Sequence, residues 1–285
     1  MPVRVLGVRW SLRLALAMLF ALAVAAAAGA AFLGESRDID EPIHSSALAG
    51  TVHARVILPP GYATSGKRYP VVYFLHGLPA SAKAYEGNNW MIDAIDAAGP
   101  AILVIPQGAR ANDTDPEYLN WGAGRNWQTY ISREVPDYVD KHYRTIASRD
   151  GRAIVGVSAG GYGATITGLH NLDRFSVIES WSGYFHATDP TGTTAVSGPN
   201  ASAHNFVQPL RKDEQRRPTL LAFYIGKQDQ YQQFVAENIQ FDKELTAAHV
   251  PHLFELYTGG HTEALWKRHA VPWLKRALSK LAKPR

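Results

Sequence analysis

Short apolar runs recur along this chain at intervals that leave room for a helix between them, and that rhythm restricts it to very few architectures. Segments 71–75, 101–105 and 153–157 are near-continuous runs of branched, aromatic and small apolar residues, the pattern of strands buried on both faces. Segments 177–181, 219–225 and 253–257 extend the series, and 51–58 alternates until Pro59-Pro60-Gly61 imposes a turn. Between them, 89–98, 127–143, 160–169, 234–249 and 263–281 read as helices. Strands alternating with helices predict an α/β chain with a mostly parallel central sheet flanked by helices on both faces. At 285 residues it is long enough for one large domain. The polar segment 35–46 reads as a linker. Segment 186–217, rich in Gly, Pro, Thr and Ser, reads as a long loop or cap at the sheet edge.

Ahead of this pattern stand Arg4, Arg9 and Arg13, followed by the uncharged run 14–33. Positive charge before an apolar stretch marks a secretory signal or a membrane anchor. Ala28-Gly29-Ala30 offers a small-x-small cleavage site, while the twenty residues of 14–33 also suffice to span about 30 Å of hydrocarbon. The expectation is therefore export. Residues 1–34 serve as signal peptide or anchor, and 35–285 form a domain that is secreted or held outside the cytoplasmic membrane. The same arginines account for the basic balance: beyond them 26 Lys and Arg face 25 Asp and Glu. No basic block remains to bind nucleic acid. The chain has no cysteine, so it lacks both a disulfide framework and a lipid-modified cysteine. No metal-ligand cluster or nucleotide loop stands out, and no metal or cofactor is implied.

Gly156-Val157-Ser158-Ala159-Gly160 follows the apolar run at 153–155 and opens a predicted helix. A serine on a sharp strand-to-helix turn is lifted above the sheet, and the flanking glycines tolerate the strained backbone this needs. A serine hydroxyl becomes a nucleophile only when a base takes its proton. Of eleven histidines, His261 lies in Thr258-Gly259-Gly260-His261, a loop directly after the last predicted strand. His249, His252 and His269 flank or occupy regular elements, and His186 and His204 sit in the polar segment. These read as surface or packing histidines. Asp229, just past the strand at 219–225, is the candidate carboxylate to orient the imidazole; Glu237, Asp242 and Glu263 are weaker rivals. The order Ser158, Asp229, His261 is that of α/β-hydrolases, and each residue follows a different strand. For an oxyanion hole the candidate backbone donors are Ala159, after the nucleophile, and Leu78 in His76-Gly77-Leu78-Pro79. Pro79 has no N–H, and His76 is expected to brace the turn.

These residues, together with several further stretches, resemble the putative-esterase family of α/β-hydrolases, which takes in esterase D-type enzymes, feruloyl and acetylxylan esterases and the antigen 85 mycolyltransferases. The further stretches are Leu58-Pro59-Pro60-Gly61-Tyr62, Tyr69 to Gly77, Glu134 with Tyr143-Arg144, Phe175 to Gly183, and Gly226. The resemblance covers nearly all of the chain after the apolar run. It implies Ser158 as nucleophile, His261 as base, Asp229 as acid, and Leu78 and Ala159 as oxyanion donors, with Ala159 replacing a methionine common in the family. The implied activity is hydrolysis of a small-molecule, carbohydrate or lipid ester. The alternative is transfer of the acyl group to a sugar acceptor, as in the mycolyltransferases; Asp229, where those carry glutamate, leans toward hydrolysis. Trp90, Trp121 and Trp127 are candidates for a substrate platform, set against ordinary core packing.

Overall fold

Eight strands assemble into one sheet in the order β1-β2-β4-β3-β5-β6-β7-β8, in a computed structural model that describes residues 37–113, 117–187, 196 and 201–285. The strands are β1 Asp38–Ser45, β2 Gly50–Ile57, β3 Val71–Leu75, β4 Ile102–Pro106, β5 Arg152–Val157, β6 Val177–Trp181, β7 Leu220–Gly226 and β8 Leu253–Tyr257. The first two form an antiparallel hairpin whose second strand pairs antiparallel with β4; every later pairing is parallel. β3, β4, β5 and β6 are buried at every position, which is why their sequences are apolar runs without alternation.

Successive residues of these strands nonetheless serve two different cores. Val71, Tyr73 and Leu75 face one side, with Ile102, Val104 and Ile154; Val72 and Phe74 face the other, with Leu103, Ile105, Ala153 and Val155. The second side is closed by α1 (Trp90–Ala98) and, at the chain's end, by α6 (Glu263–Lys280). The first is covered by α2, α3 (Ala159–His170), α4 (Val207–Asp213) and α5 (Gln232–Ala247). α2 comprises Trp127–Thr129, a π-helical turn at Tyr130–Glu134, and Val135–His142. This is the α/β-hydrolase arrangement, with the carboxyl ends of β3, β5, β6, β7 and β8 at one edge.

Two organisational expectations are corrected. Segment 35–46 is not a linker, because Asp38–Ser45 is β1, paired residue for residue with β2. Its Asp38, Asp40 and Glu41 are poor strand formers, but an edge strand shows one side to water and tolerates both charge and Pro42. Segment 186–217 is not wholly loop, since it contains a 3-10 turn at Ala203–Phe206 and α4. The run 14–33 lies outside the described residues; among those described, no helix is long and apolar enough to cross a membrane.

Residues far apart in sequence pin the entry to this sheet. The Arg144 guanidinium lies 3.9 Å over the Tyr62 ring, and the Tyr62 hydroxyl accepts from the Arg144 amide at 2.6 Å. Glu134 accepts from the Ala47 amide at 2.9 Å and from the Ser45 hydroxyl, tying α2 to the first hairpin.

Candidate active site

β5 runs into α3 through Ser158, whose φ of 54° and ψ of −123° lie where a residue with a side chain is strained. The turn closes only because its flanks lack side chains. A Cβ on Gly156 would come within 2.0 Å of the Gly160 carbonyl oxygen, and one on Gly160 within 2.1 Å of the Leu75 carbonyl oxygen. The Ser158 amide donates to the Trp181 carbonyl at 2.9 Å, fastening the turn to β6.

At this turn the Ser158 hydroxyl donates to His261 Nε2 at 2.8 Å, and His261 Nδ1 donates to Asp229 Oδ2 at 2.7 Å. The structure thus joins all three residues in one hydrogen-bonded chain. Asp229 is fully buried and its other oxygen accepts from the Tyr231 amide at 2.9 Å, so its position is held from both sides. The loops after β7 and β8 are laced to each other: Gln228 N to Gly259 O at 2.9 Å, Gly259 N to Gln228 Oε1 at 2.6 Å, and Lys227 N to Tyr257 O at 2.7 Å. These bonds hold the carboxylate loop against the imidazole loop. Gln228 sits too close to the candidate acid in sequence to have drawn separate attention.

The imidazole stands between two rings, Tyr231 at 5.2 Å and Trp266 at 5.3 Å, both edge-on. Trp266 is itself held by donating to the Ser182 hydroxyl at 3.1 Å. Sequence spacing does not mark Trp266, because only the fold brings the start of α6 beside the end of β6.

The loop after β3 abuts the nucleophile: a Cβ on Gly77 would lie 3.0 Å from Ser158 Cβ. Leu78 and Ala159 line one small cavity with His76, Gly108, Glu117 and Tyr118. His76 braces this loop, its Nδ1 donating to the Gly77 carbonyl at 2.9 Å while the Tyr118 hydroxyl donates to the His76 carbonyl at 2.7 Å. Burial lowers the His76 pKa, which keeps the ring neutral. Among the described residues, the exposed large apolar side chains are Leu78 and Tyr231, and both border this site.

The tryptophan platform is corrected. Trp127 is wholly buried under the first hairpin, edge-on to Tyr130 at 6.0 Å with Arg110 5.9 Å from its ring. Turning such a ring out to a ligand would forfeit about 1.5–3 kcal/mol of burial. Trp90 packs against Phe74 at 6.0 Å and Trp181 at 6.4 Å, with its ring nitrogen buried. Of the three, Trp121 is half-buried against the cluster that contains Ala159, Tyr162 and Tyr184.

A family model described as "Putative esterase" matches residues 45–276. The chain belongs to that esterase family. Its curated relatives include Esterase Rv1288 of Mycobacterium tuberculosis, 27% identical over an alignment of 245 residues that covers 76% of this chain and 54% of that protein. The chain thus spans about half the length of the curated relatives it matches first. Among solved structures, a ferulic acid esterase superposes with a TM-score of 0.70 at 24% identity, over 86% of this chain and 97% of that one. FphF, a fluorophosphonate-binding serine hydrolase of Staphylococcus aureus, superposes at 0.71 with 24% identity, over 86% and 99%. Both share the fold of this member of the esterase family.

Proposed function

We propose that this protein is an exported serine esterase that cleaves carboxylic esters through an acyl-enzyme on Ser158. The observation that carries this reading is the unbroken hydrogen-bond chain from the Ser158 hydroxyl through His261 to the buried Asp229, set on a strained turn. Ser158 Oγ attacks the ester carbonyl while its proton passes to His261 Nε2. The carbonyl oxygen becomes an oxyanion received by the backbone N–H groups of Leu78 and Ala159. His261 then returns the proton to the departing alkoxide, leaving the acyl group on Ser158. Water enters, loses a proton to His261 and attacks the acyl carbonyl; the carboxylic acid leaves and the Ser158 hydroxyl is restored. Asp229 keeps His261 in the tautomer whose Nε2 is free to accept, and stabilises the imidazolium.

Leu78 and Tyr231, exposed beside this chemistry, offer apolar and aromatic contact to an ester with an apolar or aromatic group. The name of the ferulic acid esterase that shares this fold agrees with an aromatic acyl group.

The test is hydrolysis of aryl and short-chain acyl esters by wild type and Ser158→Ala, alongside labelling by a fluorophosphonate. We expect the variant to lose at least about 10⁴-fold in kcat/KM with its thermal midpoint retained, and to resist the label. Wild-type rates in that variant would sink the proposal. Adding a sugar acceptor to the same assay reads transfer: an acylated sugar as the main product would replace hydrolysis by acyl transfer.

A further inference from the structure

Outside the triad, three side chains from separate parts of the chain converge beyond the end of β6. His186 lies shortly after that strand, His204 lies in the 3-10 turn Ala203–Phe206, and Glu237 lies on α5. One candidate ligand atom from each lies within 4.8 Å of the others. His204 Nε2 is 3.4 Å from Glu237 Oε1, and the same oxygen is bonded by His186 Nδ1. Glu244, further along α5, lies 2.6 Å from His204 Nδ1. That bond fixes the ring so that Nε2 points at Glu237, as outer-shell carboxylates do for metal-bound histidines. The Glu237 side chain is only 10% exposed while His186 is 53% exposed, so the cluster has a rigid floor and an open side.

We propose that His186, His204 and Glu237 form a binding site for a divalent transition cation of the zinc class. Two imidazoles and one carboxylate suit such an ion, whereas calcium and magnesium select oxygen donors. Metal–ligand distances of about 2.0–2.2 Å bring neighbouring donors to roughly 3.5 Å. The candidate ligand atoms lie within 4.8 Å of one another, and His186 is the exposed member of the three. Without a cation, Glu237 Oε1 lies against both imidazoles; a bound cation would sit between the three side chains. Its effect would be structural. It would fasten the chain after β6 and the 3-10 turn to α5, whose first turn carries Phe234, stacked on Tyr184 at 4.7 Å and tilted against Tyr231 at 5.1 Å. Tyr231 in turn borders His261, so the cation would stiffen one wall of the active site.

Titration calorimetry of the full chain with zinc chloride tests this, in wild type, His186→Ala, His204→Gln and His261→Ala. We expect one zinc per chain, an affinity at least tenfold weaker in the first two variants, and no change in the third. At a hundredfold excess over Kd, zinc should raise the wild-type thermal midpoint by about 5 °C, and magnesium should not. The absence of saturable zinc binding to wild type would overturn the site. So would wild-type affinity in both His186→Ala and His204→Gln, or loss of binding in His261→Ala alone.

Discussion

Ser158 sits at φ 54°, a conformation that costs of order 1–3 kcal/mol for a residue with a side chain. The surrounding turn holds it there through the Trp181 carbonyl and two glycines with no room for a methyl group. This strain presents the hydroxyl to His261, and Asp229 completes the alignment by accepting from Nδ1 at 2.7 Å. Asp229→Asn keeps the shape of that side chain, but its amide nitrogen donates. The imidazole is then stabilised as the tautomer with its proton on Nε2, unable to accept from Ser158. We expect kcat to fall about 10³–10⁴-fold with little change in KM. Steady-state kinetics on a chromogenic ester checks this, and a KM effect without a kcat effect would count against Asp229 as the orienting acid. The sequence already pointed to all three residues, because a strand–turn–helix serine and two post-strand loops leave few other choices. It could not point to Trp266 or Gln228, whose roles depend on which loops become neighbours.

At the scale of elements, β6 carries a carboxylate into the core beneath α6. Glu179 is fully buried and its pKa is pushed up to about 8, chiefly by burial, against the smaller lowering by the Trp181 N–H bond and by Arg276. The folded state therefore prefers this group protonated. Its contribution to stability is full below the unfolded pKa near 4.5, declines as pH rises from there to about 8, and is flat beyond. Glu179→Gln stays neutral throughout and can keep the bond from Trp181 Nε1, which Glu179 accepts at 3.0 Å. The variant should gain on wild type by on the order of 4 kcal/mol between pH 5 and pH 9. Thermal melts of both proteins across that range measure it, and a difference that does not grow with pH would refute it. Only the arrival of α6 over this face makes Glu179 a buried acid. β1 shows the opposite case: its acidic residues argue against a strand, and pairing with β2 overrides them.

At the scale of the whole molecule, the sheet, both helical layers and the site all lie within residues 38–285. We propose that residues 1–34 direct export. A chain lacking them should keep its esterase activity and remain in the cytoplasm, whereas the full chain should deliver that activity to the membrane or the medium. Fractionation of expressing cells decides this, and equal cytoplasmic retention of both forms would remove the export proposal. The amino-acid sequence by itself determined the α/β class and the parallel sheet, because strands buried on both faces must be apolar throughout. It also determined the three residues of the candidate triad, because the elbow glycines and the post-strand loops are local requirements written into neighbouring positions. Tertiary structure alone decided which tryptophans are buried and that Leu78 and Tyr231 form the apolar rim. It alone brought His186, His204 and Glu237 together. Exposure and proximity are properties of packed surfaces, set by which elements meet across the sheet, and no spacing along the chain encodes them.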